Sequence, residues 1–138
     1  MAGNKEILER LNEAINGGNL DQVDGILGDD FVEHEAFPGF PPTREGVMQL
    51  FAAAREAFAD FRMDASQYVE EGDLVVAWVQ MTGTHRGEFM GIPASGNAID
   101  LPLADMVRVR DGRIVEHWGI SDTLVMMQQL GAMPAPPG

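Results

Sequence analysis

Cysteine is absent from the 138 residues, which excludes disulfides and thiolate metal sites. Histidine is scarce: His34, His85 and His117 are the three, and they are too widely spaced to form a metal-ligand motif. We therefore expect neither a metal nor a metal-dependent reaction. Basic residues are few, with nine Lys and Arg against 22 Asp and Glu and a formal net charge of −13. Nucleic acid and anionic membrane surfaces both demand a basic patch that this balance can hardly supply. A small neutral or weakly acidic organic ligand fits better. No run of about eighteen apolar residues could cross a membrane, and the N-terminal MAGNKEILER lacks the basic-then-apolar layout of a secretion signal. The expected location is the cytoplasm. The Gly-x-Ser-x-Gly elbow, the phosphate-binding Gly-x-x-x-x-Gly-Lys and the dinucleotide Gly-x-Gly-x-x-Gly are all missing, so acyl-enzyme and nucleotide chemistry lose support.

What is present suits one domain, expected over residues 1–131, with a frayed Pro-rich tail over 132–138. Hydrophobic residues make up 45% of the chain, enough for a substantial core. Ile7, Leu8, Leu11, Ala14 and Ile15 recur at helical spacing, with Asn4 as the expected N-cap and Gly17-Gly18 as the stop. Asn19 caps a second short helix bearing Leu20, Val23, Ile26 and Leu27, which Gly28-Asp29-Asp30 should break. Phe31 to Phe37 alternates like a short strand, and the proline-rich stretch 38–42 must be a stiff loop because its prolines lack amide donors. Thr43 then caps a longer helix with Val47, Leu50, Phe51, Ala54 and Phe58 along one side.

Four strand-like segments follow, roughly 62–69, 74–85, 98–110 and 113–120. Glu71-Gly72 and Asp111-Gly112 mark tight hairpin turns, and residues 86–97 form a long glycine-rich connection. A last helix starts at Ser121 or Asp122 and ends at Gly131. Helices followed by a run of antiparallel strands predict an α+β fold, with a curved antiparallel sheet wrapped around the N-terminal helices to form a cone with an internal pocket.

Polar residues in apolar rows are the candidates for chemistry. Strand side chains alternate between faces, so Leu101, Leu103, Asp105, Val107 and Val109 share one face, with Asp105 out of place among them. Burying a carboxylate costs free energy unless it is hydrogen-bonded or neutralised, and a general acid or base can exploit that cost. On the next strand Val115, His117 and Gly119 share one face and Ile114, Glu116, Trp118 and Ile120 the other. A two-residue loop at Asp111-Gly112 would set Asp105 opposite Trp118, whereas a three-residue loop with Gly112 as a bulge would set it opposite His117. The apolar pattern favours the second, and both registers remain open. His117 titrates near neutrality and could shuttle a proton or donate to an oxyanion. His34 is a third intrusion, in the row Val32, His34, Ala36. Asp122 reads as a helix cap and His85 as an exposed strand end, while Met48, Phe51, Trp78, Phe89 and Met90 are expected as core or pocket wall.

Three stretches carry a resemblance: Gly83-Thr84-His85-Arg86-Gly87-Glu88-Phe89-Met90-Gly91-Ile92-Pro93-Ala94-Ser95-Gly96, then Asp111-Gly112-Arg113-Ile114-Val115-Glu116-His117-Trp118, then Gln128-Gln129-Leu130-Gly131. With them the chain resembles, over nearly its whole length, the SnoaL-like polyketide cyclases or ester cyclases, whose cone-shaped fold is shared with ketosteroid isomerase and scytalone dehydratase. The resemblance implies cofactor-free chemistry, in which a base removes a proton next to carbonyls and the enolate closes a ring by aldol attack. It implies His117 and His34 as pocket histidines, a small hydrophobic ligand held by residues such as Met48, Phe51, Trp78 and Phe89, and a homodimer packed through the outer sheet face at Ile114, Trp118 and Ile120. It also implies a key Asp directly after the His-Trp pair, where this chain has Gly119.

Overall fold

The computed structural model describes residues 3–35 and 37–134. Among them the order is α1 (Asn4–Gly17), α2 (Leu20–Ile26), β1 (Leu27–Glu33), α3 (Arg44–Ala57), β2 (Arg62–Glu71), β3 (Leu74–Thr84), β4 (Ala98–Arg110), β5 (Arg113–Ser121) and α4 (Thr123–Gln129). The helices begin and end for local reasons. Asn19 Oδ1 accepts from the Gln22 amide, Thr43 Oγ1 from Gly46 and Asp122 Oδ1 from Val125, and Gly18 closes α1 in the left-handed conformation at φ 71°. Asn4, expected as a cap, instead lies inside α1, whose N-cap is Gly3, and its amide donates to the Gly72 carbonyl.

The five strands form one sheet in the order β1-β5-β4-β3-β2. The four C-terminal strands pair antiparallel as expected, and β1 joins the edge parallel to β5. β1 begins earlier than its sequence suggests: Gly28-Asp29-Asp30 belong to the strand, and the pairing irregularity between Leu27 and Val32 absorbs them. Helices cover the concave face, where Ile7, Leu8, Leu11 and Ile15 of α1 and Val47 and Ala54 of α3 pack with Val75, Ala77, Val79, Leu101, Leu103, Val107 and Val109. This is an α+β cone. The helices meet only part of the sheet, so the wide end encloses space instead of side chains.

The β4–β5 hairpin decides what faces that space. Asp111 and Gly112 both have positive φ, 53° and 77°, as a two-residue loop that matches strand twist requires. Arg110 then pairs with Arg113 and Val109 with Ile114, but Arg108 pairs with Glu116, leaving Val115 as an extra residue. The bulge sits at Val115, not Gly112, and it moves the register the opposite way from the favoured expectation. Asp105 lies opposite Gly119, neither Trp118 nor His117. The bulge also turns Ile114 into the core, where it is fully buried, so it leaves the outer row assigned to it. No helix among the described residues is long and apolar enough to cross a membrane. The expected frayed tail falls mostly outside the described residues, from 135 onward.

Candidate functional site: a buried histidine among three carboxylates

The cone holds a cavity of about 130 Å³ with a predominantly apolar wall. Leu8, Leu11 and Ile15 come from α1, Leu50, Phe51 and Ala54 from α3, and Phe58, Phe61, Met63 and Phe89 close other sides. Glu33, Glu35, Asp105 and His117 break this wall at one place on the sheet. Of the expected pocket aromatics, Phe51 and Phe89 do line the cavity. Trp78 does not: it pairs with Ala104 on the convex face and is 54% exposed. Met48 packs against the core without reaching the cavity wall.

Asp105 and His117 are brought together, in a register that neither sequence alternative gave, through a diagonal contact. Since Asp105 faces Gly119 across the ladder, His117 stands two residues along the same face and its side chain reaches across. His117 Nε2 lies 2.7 Å from Asp105 Oδ1, and Nδ1 lies 2.5 Å from Glu33 Oε1. Glu33 is placed by the parallel pairing of β1, which sets it beside His117. An ionised carboxylate only accepts, so an imidazolium donating from both nitrogens satisfies both partners. Burial alone would push the His117 pKa down. The hydrogen bonds and charges of Asp105 and Glu33 outweigh burial and raise it to about 10, so the ring is a buried cation at neutral pH.

Glu35 completes the group. One turn of alternation past Glu33, it faces the cavity over Gly119, and its backbone N–H donates to Glu33 Oε1 at 3.0 Å. Burial lifts its carboxyl to about 7, with the charges of Asp105 and Glu33 adding to the rise and His117 opposing it. Ligand atoms of Glu35, Asp105 and His117 lie within 4.8 Å of one another. Both ring nitrogens are nevertheless aimed at carboxylates, so the imidazolium has no lone pair to give a metal, and the set is better described as a buried ion-pair network.

His34 stands apart from this group. It lies on the other face of the edge, half exposed, with Nε2 2.9 Å from Glu116 Oε2 and its ring stacked on Trp118 at 4.7 Å. The sequence FVEHEAF has two alternating rows, and the row that enters the cavity is Phe31, Glu33, Glu35, Phe37. Two glutamates flanked by two phenylalanines were the available signal for the missed residues. Ala36, expected beside His34, lies outside the described residues. His85, expected as exposed, is fully buried: Nδ1 accepts from the Ser95 amide at 3.2 Å and the ring stacks on Phe58 at 5.4 Å. It anchors the glycine-rich connection, and Asp122 caps α4 as expected.

Residues 5–130 match the family model for SnoaL-like polyketide cyclases. The chain belongs to this family. Among its curated relatives is the aklanonic acid methyl ester cyclase DnrD of Streptomyces peucetius, 30% identical, with 96% of this chain and 94% of that protein covered. The nogalonic acid methyl ester cyclase of Streptomyces nogalater is 26% identical over 86% of this chain and 90% of its own. Among solved structures, IdmH of Streptomyces antibioticus shares 36% identity and a TM-score of 0.82, covering 94% of this chain and 99% of IdmH. TsrD of Streptomyces laurentii gives 28% identity and a TM-score of 0.84, covering 93% of this chain and 94% of its own.

Proposed function

We propose that this SnoaL-like protein catalyses cofactor-free acid/base chemistry on a small hydrophobic carbonyl compound, with aldol cyclisation the leading reaction and isomerisation or hydration the related possibilities. The observation that carries the reading is the imidazolium of His117, locked between Asp105 and Glu33 and facing an apolar cavity. Both ring N–H groups are held by Asp105 and Glu33, so the ring supports a developing enolate through the fixed polarity of its cavity-facing edge, which needs no reorganisation during the reaction, and not as a free donor. Asp105 and His117 are the catalytic pair in this reading, with Phe51 and Phe89 as the apolar clamp on the substrate. The test is conversion of aklanonic acid methyl ester, the compound in the names of two relatives. Asp105→Asn should lower turnover at least about a hundredfold while leaving the fold intact, and undiminished turnover would sink the reading.

A second reading is a binding protein that carries or sequesters a hydrophobic metabolite. It is favoured by Gly119, which stands where the resemblance places a catalytic Asp. Binding of the ester without conversion, by both the wild-type protein and Asp105→Asn, would support it.

The convex sheet face supports a homodimer. Trp78, Ala104 and Ile120 form one cross-strand row, and Val76, Met106 and Trp118 the next. Such a contiguous apolar surface on a monomer would be a sticky patch. Charge argues against nucleic acid and membranes as partners, and we place the protein in the cytoplasm.

A further inference from the structure

We infer that Glu35, rather than Asp105, is the group that takes and returns the substrate proton, and that residue 119 is glycine because the Glu35 carboxylate occupies the space above it. The inference rests on the acid/base reading above and names the residue that would carry it out.

Three carboxylates face the cavity, and two of them are committed. Asp105 Oδ1 and Glu33 Oε1 each hold one nitrogen of His117, so protonating either would break a charge-assisted bond to a buried cation. Glu35 has no such tie. Among the described residues its side chain has no hydrogen-bond partner, and only its backbone N–H is engaged, with Glu33. It can gain or lose a proton without dismantling the ion-pair network. Its surroundings also set its basicity near neutrality, because burial and the charges of Asp105 on β4 and Glu33 on β1 outweigh the attraction of His117 on β5.

Gly119 provides an independent geometric argument. A Cβ there would lie 2.9 Å from Glu35 Cδ and 2.9 Å from His117 Cε1, and would collide with Glu35 Oε1. Gly119 does not need its glycine for backbone reasons, since it is absent from the positive-φ residues. The absence of a side chain makes room for a carboxylate reaching over from the segment just past β1. The chain therefore presents a carboxylate at this point of the cavity although the strand position beneath it has none.

For a carbonyl substrate the step balances as follows. Glu35 takes the proton from the carbon beside the carbonyl, and the C–H electron pair becomes the enolate, facing His117. The enolate carbon then bonds to a second carbonyl carbon of the same molecule, whose oxygen becomes an alkoxide and recovers the proton from Glu35. No other reactant is consumed.

The test separates this assignment from the identity of the natural substrate. Nitrobenzisoxazole reports bare proton abstraction: a carboxylate takes the ring C–H proton, its electron pair forms the nitrile as the N–O bond breaks, and a coloured cyanonitrophenolate is released. The wild-type protein should accelerate this opening with a rate that rises with pH through about 7. Glu35→Gln should lose about tenfold or more of that acceleration, together with the pH limb. Asp105→Asn should move the limb to lower pH, because the Asp105 charge helps to raise Glu35. Carbon-13 titration of the glutamate carboxyls, in which Glu35→Gln removes one resonance, should place that resonance's midpoint near 7. An unchanged limb in Glu35→Gln, no acceleration by the wild type, or a Glu35 midpoint near the ordinary 4.5 would each overturn the assignment. If the limb behaves as expected while aklanonic acid methyl ester is left unconverted, the cyclase reading fails and the Glu35 assignment stands.

Discussion

Two neighbouring groups in the cavity bind protons more tightly in the folded chain than in the unfolded one, and this fixes the direction of the pH response. Glu35 moves from 4.5 to about 7 and His117 from 6.5 to about 10. Where the folded state binds more protons, stability falls as pH rises. The His117 contribution is fully present below 6.5 and disappears as pH climbs through about 10, and the Glu35 contribution is lost between 4.5 and about 7. Urea midpoints measured across this range should therefore decline from mildly acidic to alkaline pH. Glu35→Gln should flatten the lower part of the decline and leave the upper part, since His117 keeps both partners. A stability that rises between pH 5 and 7 would contradict the buried, proton-holding state of Glu35. Asp73, Asp64 and Glu116 shift downward beside arginines or His34, so their effect is confined to more acidic solutions.

At the scale of elements, local signals were legible and long-range ones were not. Three helix caps, both tight hairpin turns and the extents of β2 to β5 follow from side chains acting within a few residues, and the sequence displays those directly. The bulge at Val115 was hidden because either Ile114 or Val115 can satisfy an apolar position, and the structure buries both. Which row of β1 faces inward depends on its parallel pairing with β5, a partner far along the chain, so His34 and Glu33 exchanged roles. Two substitutions test the corrected placement. His34→Ala should change turnover of the ester by less than about twofold and leave the urea midpoint nearly unmoved, because its pair with Glu116 is partly exposed and screened by solvent. Gly119→Ala should cost about 1–3 kcal/mol by overpacking, and the part of that cost due to Glu35 should vanish in a Glu35→Ala background, leaving the part due to the contact with His117 Cε1. Additive losses in the double variant would show that residue 119 and Glu35 do not compete for space.

For the whole molecule, the cone leaves its two sheet faces with different needs. The concave face is filled by helices and the cavity, and the α+β class was legible from the order of helices and strands alone. Among the described residues no helix covers the convex face, yet it carries the rows Trp78-Ala104-Ile120 and Val76-Met106-Trp118, with Ile120 73% exposed. One end of this patch is bounded by the Arg108 guanidinium, which binds Asp73 and Glu116 and lies 5.8 Å from the Trp118 ring. An apolar centre with a paired polar rim is the arrangement of an interface, and a flat patch of this kind can pack against its own copy about a two-fold axis. Sedimentation of the wild-type protein at micromolar concentration should give a dimer. Trp78→Glu combined with Ile120→Glu should give a monomer with unchanged far-ultraviolet circular dichroism, because both side chains project away from the core and two added charges per copy would be buried without partners. A wild-type protein that sediments only as a monomer would remove the homodimer and leave the patch for another partner.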